Sequence, residues 1–259
     1  MATRAERSGG QTPLNKERVL CAAVALADER GLTSLSMRTL AETLGAGAMS
    51  LYHHVAGKEE LLSGMVDIVV REIDAPAPEG EWQPAIRRSA VSFHDALSRH
   101  PWAANLMMTP DRVLPARLRY MDALLGRLRR AGFSADMTHH AYHALDSHIV
   151  GFALWQAGIA TVAPNLDDLA ATFLQRLSID EFPYLIEHIE QHTKPSSPDG
   201  KTEFEFGLDL ILDGLERVRD EARGRTGEAL RTVAPSRSCG HDGPPRQADD
   251  IIAQTAYDE

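Results

Sequence analysis

The sequence predicts an all-α fold, a small N-terminal helical head followed by a larger helical body. Three observations carry this. Apolar residues recur at helical spacing through most of the 259 positions. No segment alternates apolar and polar residues in the manner of a half-buried strand. Only 6% of residues are aromatic, while alanine and leucine are abundant, a balance that favours helix. The apolar fraction, 43%, is ample for a proper core at this length.

The elements follow in order. Residues 1–13 are polar, include Gly9 and Gly10, and are expected to form a mobile arm. Residues 15–30 place Val19, Leu20, Ala23, Val24, Leu26 and Ala27 on one helical face, with Gly31 as the C-terminal stop. Ser36 is the expected N-cap of the next helix. That helix carries Leu40, Ala41 and Leu44 and ends at Gly45-Ala46-Gly47, a break that tolerates positive φ. Residues 48–54 are expected to form a third helix, packed inward through Leu51 and presenting Ala48, Met49, Ser50, Tyr52, His53 and His54 outward. Two short helices joined by a tight turn, the second with small and polar outer residues, predict a helix-turn-helix able to approach a DNA major groove. A fourth helix opens at Gly57-Lys58-Glu59-Glu60, its acidic residues complementing the dipole, and ends near Pro76 and Pro78. The head is therefore assigned to residues 14–74.

The body is assigned to residues 82–222. Its expected helices span 82–99, 101–108, 112–130, 135–159, 169–177, 184–192 and 202–219, with loops around Pro164-Asn165 and over 194–201. Residues 223–259 have the Gly, Pro, Arg, Ser and Asp content of a disordered tail.

Charge and composition narrow the function classes. The net charge is −10, which looks wrong for a nucleic-acid binder. Its distribution removes the objection: residues 1–60 hold seven basic and seven acidic side chains, and residues 61–259 hold 20 and 30. Phosphate contact is local, so a distant acidic surface is partly screened. No run of about 18 apolar residues exists to span a membrane. The polar N-terminus lacks a secretory h-region, and Cys21 and Cys239 have neither disulfide-framework nor zinc spacing, so a cytoplasmic protein without a cofactor is expected.

Three segments of the head resemble the DNA-binding domain of the TetR family of bacterial transcriptional repressors. They are Ala22 through Leu32, Ser36 through Gly45, and Ser50-Leu51-Tyr52-His53-His54-Val55 followed by Gly57-Lys58-Glu59-Glu60-Leu61-Leu62. Residues 125–133 and 205–215 are similar to the C-terminal domain of the tetracycline-repressor branch. The resemblance implies a homodimer that binds a double-stranded DNA operator through its heads and releases it when a small-molecule effector fills the body. By position it implies that Arg38 reaches a base edge or phosphate and that Ala48, Met49 and Ser50 open the recognition helix. Tyr52 and His54 would hold phosphates, with His53 beside them, and Lys58 would clamp the backbone from the start of helix four. Met37, Ala48 and His53 depart from the tetracycline repressor's own residues, which predicts a different operator sequence.

Other candidates follow from residue type. Trp102, Asn105, Met107, Met108, Tyr120, Phe152 and Trp155 suit either ordinary core or the wall of a ligand cavity, with His143 or His148 as an orienting polar contact. His139 and His143 share a helical face, but a polar helix start explains them as well as a metal would, and no metal is assigned. Leu208 and Leu212 are the expected dimer contacts, on a last helix that would pair with residues 135–159 across a two-fold axis. Rival classes fare worse. An enzyme needs a nucleophile–base set or cofactor loop, absent here, and an architectural DNA protein would be basic overall.

Overall fold

Asn15 opens the first helix, α1 (Lys16–Arg30): its side chain accepts a hydrogen bond from the Arg18 N–H at 2.8 Å. Gly31, at φ +75°, ends it, and a 3₁₀ turn over Leu32–Ser34 leads to α2 (Met37–Leu44). Ser36 caps α2 through a reciprocal box with Thr39, each side chain accepting the other's backbone N–H at 3.1 and 3.0 Å. Gly45 adopts the left-handed conformation, with Ala46 N–H donating to Ala41 O and Gly45 N–H to Glu42 O. That is a Schellman stop, favoured by a residue free of a Cβ penalty. In this computed structural model, residues 13–109, 114–162, 166–192 and 200–233 are described, and they contain eleven α-helices and no strand.

The remaining helices are α3 (Ala48–Leu51), α4 (Lys58–Arg71), α5 (Trp82–Arg99), α6 (Pro101–Met107) and α7 (Pro115–Arg130). They are followed by α8 (Ala135–Val162), α9 (Leu166–Leu174), α10 (Pro183–His192) and α11 (Glu203–Val233). Several expected boundaries move, among them the start of α7, the end of α8 and both ends of α9, and two of the shifts change the reading. The third helix stops at Leu51, because His54 N–H bonds Leu51 O three residues back and tightens the chain into a turn. The turn buries Val55 beside Leu51 and aims the backbone at α4. The last helix does not stop at 219 but continues to Val233, eleven residues into the stretch expected to be a disordered tail. The arm over 1–12, the loops at 163–165 and 193–199, Arg112 and residues 234–259 lie outside the described residues.

A single apolar core runs from head to body. In the head it joins Val19, Ala23, Leu40, Leu51, Val55 and Met65, all at most 1% exposed. In the body Phe93, Leu124, Leu128, Phe133, Leu145, Phe204 and Leu208 are at most 2% exposed. Polar ties cross between the two. Asp67 of α4 accepts the Ala116 N–H at 2.8 Å, capping α7 from a different element, and also pairs with Arg71. Ser92 Oγ accepts the Asp74 N–H at 3.0 Å, and Ser89 Oγ donates to Asp74 O at 2.6 Å.

Within the body, Arg87 of α5 bridges Glu205 at 3.1 Å and Asp209 at 2.8 Å on α11, and Lys201 reaches Asp209 at 2.7 Å. Hydrogen bonds from the Thr202 backbone and from Arg87 hold the Glu205 carboxyl below its ordinary 4.5. Burial pushes Asp209 up, but Lys201 and Arg87 outweigh it and hold the group below 3.8. A carboxyl with a lowered folded-state pKa gives stability that is whole above its unfolded value and lost as pH falls below it. The urea midpoint is therefore expected to be flat from about pH 7 to about pH 5 and to fall below that, more shallowly in Arg87→Gln. Equal acid sensitivity in Arg87→Gln and wild type would remove this cluster from the account.

Candidate nucleic-acid interface

The predicted DNA-facing residues of the head lie on α2, on α3 and the turn after it, and at the start of α4. Ala48, Met49, Tyr52 and His53 are exposed, Met49 at 75%, while Ser50 and His54 are half-buried. Ser50 Oγ donates to Gly47 O at 2.8 Å, which closes the first turn of α3. Leu51 and Val55 anchor this segment from beneath, so the outward side chains are fixed by core packing. Arg38 stands on α2 with its side chain 87% exposed, paired to Glu42 at 3.0 Å in an i,i+4 bridge. Such a bridge contributes little at the surface and is readily exchanged for a phosphate or a guanine edge.

Lys58 is exposed at the first position of α4, where a cation opposes the helix dipole. The N-terminal turn is served instead by Glu60, which accepts the Ala56 N–H at 2.6 Å and pairs with Lys16. Hydrogen bonds from Lys16 and from Ala56 hold the Glu60 carboxyl below 4.5. Lys58 itself has no ion-pair partner among the described residues, an arrangement suited to a backbone phosphate.

The predicted ligand-side residues divide. His148 and Phe152 of α8 meet Phe204 of α11, and Trp155 joins them through Phe152. The His148 ring stacks on Phe204 at 4.9 Å, and His148 Nε2 lies 2.9 Å from Phe204 O. His94 stacks on the same phenyl ring at 4.1 Å, and Phe152 meets Trp155 at 5.4 Å. Beside Trp155 an apolar cleft of about 180 Å³ is lined by Ile159, Leu169, Phe173 and Ile189. His94 and Phe204 were missed in sequence because each fits the inner face of its own amphipathic helix without further meaning.

The other candidates are elsewhere. Trp102 is buried and tied to the head: its Nε1 donates to Asp28 Oδ1 at 2.6 Å, and the residue is 8% exposed. Tyr120 belongs to the core, edge-on to Phe93 at 5.2 Å with its hydroxyl 3.3 Å from Ser89 Oγ, and burial pushes its pKa up to about 12. Nearby, Arg117 pairs with Asp146 and lies over Phe93 at 5.0 Å, a buried polar network with no sequence signature. Asn105 and Met108 are exposed and Met107 half-buried, since α6 turns Trp102, Ala103, Ala104 and Leu106 inward. His143 is exposed, and its ring contacts are with His139 at 4.6 Å and Tyr142 at 5.2 Å. Among the described residues no group of three His, Cys, Asp or Glu has metal-binding geometry.

Leu208 and Leu212 correct the dimer assignment. They are 0% and 3% exposed within the single chain, because they carry the inner face of α11. Among the described side chains, the large apolar residues that α11 leaves outside are Phe206 at 62%, Leu210 at 58% and Val218 at 50%.

Comparison with known proteins decides the family. Residues 19–65 match the family of bacterial regulatory proteins of the tetR family, and residues 75–219 match the tetracyclin repressor-like C-terminal domain. The chain belongs to the TetR family of helix-turn-helix transcriptional repressors. It is 30% identical over 239 residues to the HTH-type transcriptional repressor DrrR1 of Streptomyces coeruleorubidus, covering 84% of this chain and 83% of that one. The apo structure of ActR from Streptomyces coelicolor superposes with a TM-score of 0.65 at 30% identity, over 82% of this chain and 99% of ActR. ActR in complex with actinorhodin gives a TM-score of 0.64, again at 30% identity, over 80% and 99%. The matched families are regulatory and not catalytic. No helix of this TetR-family chain, among the described residues, is long and apolar enough to cross a membrane.

Proposed function

We propose that this protein is a cytoplasmic, homodimeric repressor that grips a pseudo-palindromic operator with two heads and lets go when a small organic molecule enters its body. The observation that carries the reading is the exposure of Arg38, Met49, Tyr52 and Lys58, with Ser50 and His54 half-buried beside them, above a buried Leu51–Val55 anchor. One head makes too few contacts for genomic specificity, so two must be joined. The outward stripe Phe206 and Leu210 on α11, with Ala144, Ser147, Gly151 and Trp155 exposed on α8, is the self-complementary face such a pair needs.

The effector reading rests on the aromatic cluster around Phe204 and the apolar cleft beside Trp155, and is supported by the ligand complex of ActR. An apolar, partly aromatic molecule with one hydrogen-bonding group suits these walls. Helix α4 is the lever, since Lys58 begins it at the head and Asp67 caps α7 of the body from its last turns.

The test is selection of DNA from a random pool, then fluorescence anisotropy on the selected palindrome with and without candidate effectors. Lys58→Ala is expected to weaken binding to all sequences and to lower the salt slope by about one unit. Arg38→Ala is expected to relax one base position by about 1–3 kcal/mol. If both variants select and bind DNA as wild type does, this surface is not the interface.

A further inference from the structure

A second cleft lies where the start of α5, the end of α7 and Glu216 to Arg219 of α11 converge, with a volume of about 400 Å³. None of its lining residues belongs to the head or to the aromatic cluster, and nothing in the operator reading uses it. Three guanidinium groups line it, from Arg127, Arg130 and Arg219, against the carboxylates of Glu81 and Glu216. Basic residues at the end of α7 are explained in part by its dipole. Arg127 is not, because it is 4% exposed.

A buried guanidinium ordinarily has a carboxylate partner, since an unpaired buried charge is costly. Arg127 has none among the described residues. Its Nη2 donates to the Gly80 carbonyl, and its Nε, also buried, has no acceptor. Arg219 is held flat by aromatic rings, over Trp82 at 5.4 Å and Phe133 at 5.9 Å, with Glu216 at 3.3 Å. The first turn of α5 faces the same space with no side chain capping its N–H groups.

We propose that this cleft binds a small oxyanion bearing two negative charges, a phosphate or a dicarboxylate. Guanidinium forks match both geometries, and a bound dianion supplies the counter-charge that Arg127 lacks. Binding draws α5, α7 and α11 together, so occupancy stiffens the base of the body independently of the aromatic cluster.

Isothermal titration of the full-length protein with inorganic phosphate, and separately with succinate, tests this at ionic strength held constant with chloride. Saturable binding of at least one anion is expected, phosphate alone marking a phosphate ligand and succinate alone a carboxylate. Arg130→Gln, on the exposed rim, is expected to weaken it roughly tenfold, the scale of one charge-assisted hydrogen bond. Glu216→Gln removes a competing carboxylate and is expected to tighten it several-fold. Arg127→Met should abolish it, and if that variant does not fold, the two rim variants decide. Absence of saturable binding by both anions, or wild-type affinity in both rim variants, overturns the proposal.

Discussion

Phe206→Asp combined with Leu210→Asp is expected to give a folded monomer that no longer holds a palindromic operator. Both side chains stand more than half exposed on α11, so charging them leaves the protomer core untouched. It places four carboxylates at the proposed two-fold contact, and like charges brought together there cost several kcal/mol. A monomer must bind each half-site separately and loses the effective concentration that joins two heads, about 10²–10⁴-fold in apparent affinity. Sedimentation and anisotropy read the two effects, with circular dichroism confirming the helices. Leu208→Asp with Leu212→Asp is expected to behave differently, since both leucines are enclosed in the chain's own core. Burying two unpaired carboxylates there unfolds the body and does not merely separate subunits. A dimeric, operator-binding Phe206→Asp/Leu210→Asp protein would show that the chains meet elsewhere.

Asp28→Ala is expected to loosen the joint between head and body and to blunt effector release. Asp28, near the end of α1, sits 2.8 Å from His100 Nδ1 and accepts Trp102 Nε1–H at 2.6 Å. His100 Nε2 lies 3.3 Å from Glu72, which also pairs with Arg99 at 2.8 Å. Burial pushes the Glu72 carboxyl up, but Arg99 and His100 outweigh it and hold the group below 4.5. The cluster therefore binds α1 and the end of α4 to the α5–α6 junction. Removing Asp28 leaves the buried indole N–H without its acceptor, a cost of about 1–3 kcal/mol. A ligand shifts the heads only through differential affinity for two arrangements, so a slack joint narrows that difference. The checks are a lowered melting temperature and a smaller effector-induced change in operator affinity, with near-wild-type DNA binding in the absence of effector. Unchanged effector response would move the coupling to the Asp67–α7 cap.

Much of the head was legible in sequence because its signals are local. Asn15, Ser36 and Gly45 act within a few residues of themselves, and each caps or stops the helix that its neighbours form. The apolar face of residues 19–27 and the Leu51–Val55 anchor are likewise short-range patterns, and together they place Met49, Tyr52 and Lys58 outward. The length of α3 was not legible, because the turn after Leu51 is forced by where Val55 must be buried.

By itself, then, the sequence determined an all-helical chain with a TetR-type head, the order of its helices and the candidate surface for DNA. Only the tertiary structure decided which face of a long apolar helix turns inward. Leu208 and Leu210 are two residues apart on α11, yet the first is core and the second is surface. Periodicity defines an apolar stripe, but not where α5 and α8 will cover it. The partners of Trp102 and of Phe204 were equally hidden, since Asp28 lies 74 residues from Trp102 and His148 lies 56 from Phe204. Contacts of that span are set by how helices pack, and no local pattern in the chain encodes them.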